Sequence, residues 1–282
     1  MSRTCVIGGW IVGGSAVFAA VLVVGLLASG SKAGSGERPD PDRSGRPAAA
    51  APAVVTDRID GLPVAAASAG LVRNAAHEGN VVALTLDDGP SAEYTPQVLD
   101  LLRRYHAHAT FCMIGENLDR YPDLVRQVVA DGNRLCDHSM THDEHLSSKP
   151  APRMAWEIDQ AETDLNRIAP DAPVLYYRQP GGAWSPRIQA VARRAGMVPL
   201  DWTVDPRDWS RPGTNRIIGT VEQTVRPGGV ILMHDGGGPR DQTVAALNVL
   251  LPWLRDHGYA FDFPAAAPDS RPVRECQHLR AA

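Results

Sequence analysis

The chain has 282 residues, enough for one large domain or two small ones, and its 44% hydrophobic and 21% charged content is ordinary for a globular protein. A net charge of -4 lacks the basic footprint of a nucleic-acid binder, so none is expected as partner. Four cysteines are too few for a miniprotein built on disulfides.

Arg3 is the only charge before a long apolar run, and residues 6–28 carry none. A basic start, an apolar core and the small residues Ala28-Ser29-Gly30 fit a cleaved secretory signal. The run also exceeds the roughly 20 residues that cross a bilayer as a helix. Residues 1–30 therefore read as signal peptide or membrane anchor, and both export the remainder. Residues 31–78 are rich in Ala, Pro, Gly, Ser and charge. Such a stretch buries little apolar surface and reads as a disordered tether. A folded domain is expected over 79–265, with a polar tail over 266–282.

From Val81 the pattern alternates. Residues 81–86 form an apolar strand that ends in Asp87-Asp88-Gly89-Pro90. Thr95-Pro96 reads as a helix cap with Pro in the first turn, followed by Val98, Leu101, Leu102 and Tyr105 at helical spacing. Residues 109–114 are a second strand. Leu124, Val125, Val128 and Val129 mark a helix that stops near Gly132, and residues 134–136 are a short strand running into His138. Ile158, Ala161, Leu165 and Ile168 mark another helix, and residues 174–177 a strand. Ser185-Pro186 caps a helix through Ile188 and Val191. Strands over 197–200 and 230–233 flank a helix around Ile217 and Val221. A last helix over 243–254, bent at Pro252, leads to a closing strand over 259–263. Strands alternating with helices predict an α/β fold, a distorted (β/α) barrel of about seven parallel strands. Chemistry in such barrels sits at the C-terminal strand ends.

The chemistry-bearing residues fall there. Asp87 and Asp88 end the first strand. Neighbouring strand residues point opposite ways, so the two carboxylates are expected to do different jobs. His138 and His142 end the third, spaced to reach one metal ion, and Asp88 completes a set of two imidazoles and a carboxylate. Arg178-Gln179-Pro180-Gly181-Gly182 ends the fourth; Arg178 could grip a carboxylate by paired hydrogen bonds, and a glycine N–H could face an oxyanion. Asp205-Pro206-Arg207-Asp208-Trp209 follows the fifth. Leu232-Met233-His234-Asp235 ends the sixth, with His234 placed as a general acid and Leu232 as pocket lining.

These five motifs, in order between Thr85 and His234, resemble the polysaccharide deacetylase family with the NodB homology domain, also called carbohydrate esterase family 4. The resemblance spans roughly residues 81–263. It implies one divalent metal ion, usually Zn²⁺, and removal of acetyl groups from sugars. By motif, Asp87 corresponds to the base, Asp88, His138 and His142 to the metal ligands, and His234 to the acid. Arg178 would orient Asp87. Pro180, Gly181, Trp209 and Leu232 would contact substrate. Asp208 is the favoured partner of His234, with Asp205 the alternative. Three positions depart from the family's usual residues. Leu86 replaces Phe. Asp137 replaces Asn and is expected to add negative charge beside the metal. Gly181 replaces Tyr and removes a side-chain wall of the groove.

The expected function is a metal-dependent N-deacetylase acting on N-acetylglucosamine units of a wall or chitin-like polysaccharide. The alternatives are an O-acetyl esterase on xylan and a catalytically silent carbohydrate-binding protein, although no ligand, base or acid is missing. The expected partner is the acetylated polymer, the expected state a monomer, and the expected place outside the cytoplasm. Cys112 and Cys136 fall on adjacent strands, as a disulfide or as two buried thiols.

Overall fold

The computed structural model describes residues 70–266. The apolar N-terminal run, residues 31–69 of the tether and nearly all of the polar tail lie outside the described residues. Among the described residues, no helix is long and apolar enough to cross a membrane.

Seven parallel strands form one curved sheet with helices outside. In chain order the elements are β1 (Val81–Gly89), α1 (Thr95–Tyr105), β2 (Thr110–Met113), α2 (Gly115–Leu118), α3 (Pro122–Ala130) and β3 (Arg134–Asp137). Then come α4 (Ala151–Ile168), β4 (Val174–Tyr177), α5 (Pro186–Arg194), β5 (Val198–Pro199), α6 (Thr214–Thr224), β6 (Gly229–His234), α7 (Asp241–Asp256) and β7 (Ala260–Asp262). The sheet runs β5-β4-β3-β2-β1-β6. β7 pairs with β1 at Val81, below the start of β2 opposite Thr85. Between β5 and β6 the wall is patched rather than paired: Val72 bridges Leu200, and Val204 bridges Ile231. This is the distorted barrel expected of the alternating pattern.

Alternation along each strand makes two cores. Val82, Leu84, Leu86, Phe111, Met113, Ile231 and Met233 face outward and pack under the helices. Ala83, Cys112, Cys136, Tyr176, Leu200 and Val230 face inward. In α1, Val98, Leu99 and Leu102 are fully buried on this outer core. Each such side chain contributes roughly 1.5–3 kcal/mol. Cys112 lies directly opposite Cys136 across β2 and β3, and the two form a disulfide inside the barrel.

Three local details differ from the sequence reading. The domain begins before residue 79, because Val72 N–H donates to Pro199 O, Asn74 bridges Gly229 and Ala75 is buried. Thr95 is not the cap of α1; its hydroxyl donates to Asp235 Oδ2 at 2.5 Å instead. α2 leaves no mark in the sequence, since four residues are too few to show a periodic pattern. Ser185 does cap α5, accepting from Ile188 N–H.

Candidate active site

β1 carries Asp87 and Asp88 to the mouth of the barrel. The strand register slips at this point: Asp87 pairs with Cys112 but Gly89 pairs with Met113, leaving Asp88 as a bulge. Its φ of 73° is left-handed, a conformation that Asp tolerates better than most residues. The bulge turns the side chain back toward its neighbour's side. His138 Nε2 lies 3.6 Å from Asp87 Oδ2 and 3.5 Å from Asp88 Oδ1. The two carboxylates therefore share one site, where simple strand alternation predicts opposite directions.

β3 delivers His138, whose Nδ1 sits 2.8 Å from Arg178 O. A carbonyl can only accept, so Nδ1 carries the proton and donates it in that bond, and Nε2 keeps its lone pair for an ion. The loop then turns at Ser139 and His142, with φ of 64° and 57°. Buried Glu157 of α4 holds the turn by accepting from Thr141 N–H at 2.8 Å and from its hydroxyl at 2.6 Å. Left-handed non-glycine residues on both sides of a site are strain retained by the surrounding contacts.

Asp88, His138 and His142 each present a ligand atom, all within 4.8 Å of one another. Asp88 Oδ1 is 3.2 Å from His142 Nε2, yet it is buried and lacks a hydrogen bond of good geometry. An orphaned carboxylate oxygen facing two imidazole nitrogens is what a cation would satisfy. Burial alone would raise the Asp88 carboxyl, but the adjacent imidazoles outweigh it and hold it well below the ordinary value. The donor set fits a divalent ion. His145, which follows the pair, is exposed and outside this group.

Asp137 sits in surroundings that disfavour the charge expected of it. It is fully buried, with Oδ1 accepting Ser139 N–H at 2.7 Å and Oδ2 unpartnered. Burial, aided by Glu162, Glu157 and Asp159, pushes its carboxyl well above the usual range. These surroundings oppose the negative charge expected at this position.

Arg178, at the end of β4, is wholly buried. Its Nη1 donates to Asp87 Oδ1 at 2.6 Å and to Thr85 Oγ1 at 2.8 Å. Nε reaches Leu200 O at 3.3 Å and Nη2 reaches Asp201 O at 3.4 Å. The expected paired grip is thus a single bond, because the other donors go to the Thr85 hydroxyl and to backbone carbonyls. That arrangement fixes the guanidinium to the wall and fixes one Asp87 oxygen to it. Past Arg178, Pro180 is buried and Gly181 turns with φ of 61°. A Cβ at Gly181 would lie 3.2 Å from Glu144 Cγ, so Glu144 stands where a larger residue's wall would begin.

β6 places His234 opposite Asp87 in register. Its Nδ1 is 2.8 Å from Asp208 Oδ1, and its backbone N–H donates to Asp208 Oδ2 at 2.9 Å. Thr243 of α7 adds a third bond to the same carboxylate at 2.7 Å. Burial would lower the His234 imidazole; Asp208, then Asp87 and Asp88, reverse this and raise it to about 9. Asp205 has another role: its Oδ1 accepts Arg207 N–H in the turn before Asp208. Leu232 is buried on the same strand face as His234. Trp209 is 45% exposed, an uncommon position for a large aromatic side chain.

Four contributors escape a reading by motif: Thr85, Thr243, Arg240 and Asp235. Burial pushes the Asp235 carboxyl up to about 7, with Asp88 and Asp87 adding to the effect against the Thr95 hydroxyl. Arg240 sits 3.8 Å from Asp88 Oδ2. The sequence signal for these was only their neighbourhood: Thr85 precedes the acidic pair, and Arg240 follows the glycine run.

Residues 74–200 match the family profile described as polysaccharide deacetylase. The chain is 41% identical to the chitooligosaccharide deacetylase of Sinorhizobium fredii over 188 residues, covering 63% of this chain and 87% of that protein. It is 40% identical to a peptidoglycan-N-acetylglucosamine deacetylase of Bacillus cereus over 183 residues, covering 64% of this chain and 84% of that protein. Among solved structures, a family 4 carbohydrate esterase from Streptomyces lividans in complex with acetate matches with a TM-score of 0.62 and 29% identity, over 68% of this chain and 100% of that chain. The chain belongs to the polysaccharide deacetylase family, carbohydrate esterase family 4.

Proposed function

We propose that this protein is a metal-dependent hydrolase that removes N-acetyl groups from N-acetylglucosamine units of a cell-wall or chitin-like polysaccharide. One observation carries the reading. A carboxylate and an imidazole, each locked by its own partner, stand on adjacent strands and face Asp88, His138 and His142. Base, acid and ion-binding trio at one mouth meet the needs of amide hydrolysis. The names of the similar chitooligosaccharide and peptidoglycan deacetylases support the sugar.

Asp88, His138 and His142 would hold the ion, and two imidazoles with one carboxylate suit Zn²⁺. When bound, such an ion supplies a Lewis acid for the acetyl carbonyl and lowers the pKa of water. The chain's own residues do the rest. Asp87, held by Arg178, accepts a proton from the attacking water as the water oxygen bonds to the acetyl carbon. The Gly181 N–H faces the developing oxyanion. Pro180, Trp209 and Leu232 bound the acetyl pocket. His234, kept protonated by Asp208, gives its proton to the sugar nitrogen as the carbon–nitrogen bond breaks. Acetate and a free amine leave.

A wall polymer as substrate supports a place outside the cytoplasm, and the apolar residues 6–28 would export or anchor the protein. Acetate release from peptidoglycan, chitin oligomers and acetylxylan, with and without chelator, tests the reading. Chelator-sensitive release from N-acetylglucosamine polymers is expected. Chelator-insensitive release would reject the metal, and release from acetylxylan alone would reject the amide.

A further inference from the structure

The geometry points to Arg240 as a positioning residue that fixes Asp88 for the ion and ties it to the Trp209 loop. This rests on the reading of Asp88 as an ion ligand. Arg240 is 4% exposed and lies just before α7. Its guanidinium spans three parts of the mouth. Nε donates to Gly236 O at 2.6 Å, and Nη2 to Gly237 O at 3.1 Å. Nη1 reaches Trp209 O at 3.4 Å and Pro239 O at 3.3 Å. Nη2 also stands 3.8 Å from Asp88 Oδ2.

The two Asp88 oxygens thus have separate neighbours. Oδ1 faces the His138 and His142 nitrogens at 3.5 and 3.2 Å, and Oδ2 faces a buried cation. A cation on Oδ2 favours presentation of Oδ1 alone to the ion. The glycine loop presses on Asp88 from the same side. A Cβ at Gly237 would lie 2.3 Å from Asp88 Oδ2, and one at Gly236 would lie 2.1 Å from Asp88 O. Backbone packed this closely admits only glycine, and Arg240 is the side chain that bonds the loop's carbonyls in place. The same fork reaches the backbone of Trp209, next to the Asp208 that holds His234. Ion ligand and pocket wall therefore share one support. A lysine could keep the charge but not the four-way fork.

The test is Zn²⁺ affinity, by competition with a chromophoric chelator, together with separate kcat and KM on N-acetylglucosamine oligomers. Residues that orient a metal ligand typically govern 10–100-fold of metal affinity. Arg240→Gln should lose about that much Zn²⁺ affinity and raise KM, and Arg240→Lys should recover part of the affinity but not the KM. A folded Arg240→Gln protein with wild-type affinity and KM would overturn the inference. Should that variant not fold, the wild-type protein carries the decision through the Arg240 Nε–H resonance, assigned by its loss in Arg240→Lys or by sequential connectivity. It should shift as metal-stripped protein takes up Zn²⁺; a fixed resonance beside shifting His138 signals would overturn the inference. Wild-type protein that binds no Zn²⁺ would instead reject the ion-ligand reading itself.

Discussion

Asp208 holds His234 at two points: one carboxylate oxygen meets the ring Nδ1 at 2.8 Å and the other accepts the backbone N–H of the same residue at 2.9 Å. The pair fixes both the direction of the imidazole and its charge. Burial disfavours the imidazolium, yet the nearby carboxylates raise its pKa to about 9. An acid with a raised pKa is competent at neutral pH and is lost as pH rises through that value. An ion on Asp88 would offset that residue's share, so the loaded enzyme's alkaline limb is expected somewhat below 9. Asp208→Asn removes the largest favourable contribution. The alkaline limb of kcat/KM should then move to lower pH, and an unmoved limb would show that Asp208 does not set the acid.

Arg178 and Asp87 form an ion pair buried on both sides. Removing one member of such a pair leaves an uncompensated charge at a cost of roughly 3–5 kcal/mol. Arg178→Ala should lower stability by about that amount in urea unfolding. It should also depress kcat, because Asp87 loses the guanidinium that holds it. Unchanged stability would show that the pair contributes nothing measurable to the fold.

The metal trio is tested by elemental analysis of purified protein. Wild-type protein should carry about one equivalent of a divalent ion, and the His138→Ala, His142→Ala double variant should carry almost none. Stoichiometric metal in the double variant would move the site elsewhere.

The Cys112–Cys136 bond closes a loop of 24 residues in sequence across adjacent strands. Cross-links of this span contribute about 3 kcal/mol. Cys112→Ser with Cys136→Ser should lower the thermal midpoint of oxidised protein. A midpoint equal to that of wild type would show that the bond contributes nothing measurable.

Much of this site was legible because parallel-sheet strands end where their apolar runs end, and the motif residues sit just beyond those runs. The runs before Asp87, His138, Arg178 and His234 located all four at one mouth. What sequence periodicity could not show were departures from regular backbone. The bulge at Asp88 turns a residue that strand alternation would point away. The fork of Arg178 is shared with carbonyls of Leu200 and Asp201, contacts more than 20 residues distant that leave no pattern in the chain. Burial opposes the charge that the residue type of Asp137 suggests. Thr95 looks like a helix cap by composition but bonds Asp235, a residue 140 positions away. Composition puts the tether boundary too late because residues 70–78 join the sheet through isolated bridges rather than an apolar run.

The central claim is that the bond cut is an amide, and acetate release by two variants on two substrates tests it most directly. An amine leaves poorly unless protonated, whereas an activated alkoxide needs little help. Loss of a general acid typically costs about 10²–10⁴-fold. His234→Ala should therefore depress release from an N-acetylglucosamine oligomer toward the upper part of that range, while sparing an activated acetyl ester. Asp87→Ala should depress both. Wild-type protein that releases acetate from acetylxylan far faster than from any N-acetylglucosamine polymer would contradict the account and make the protein an esterase.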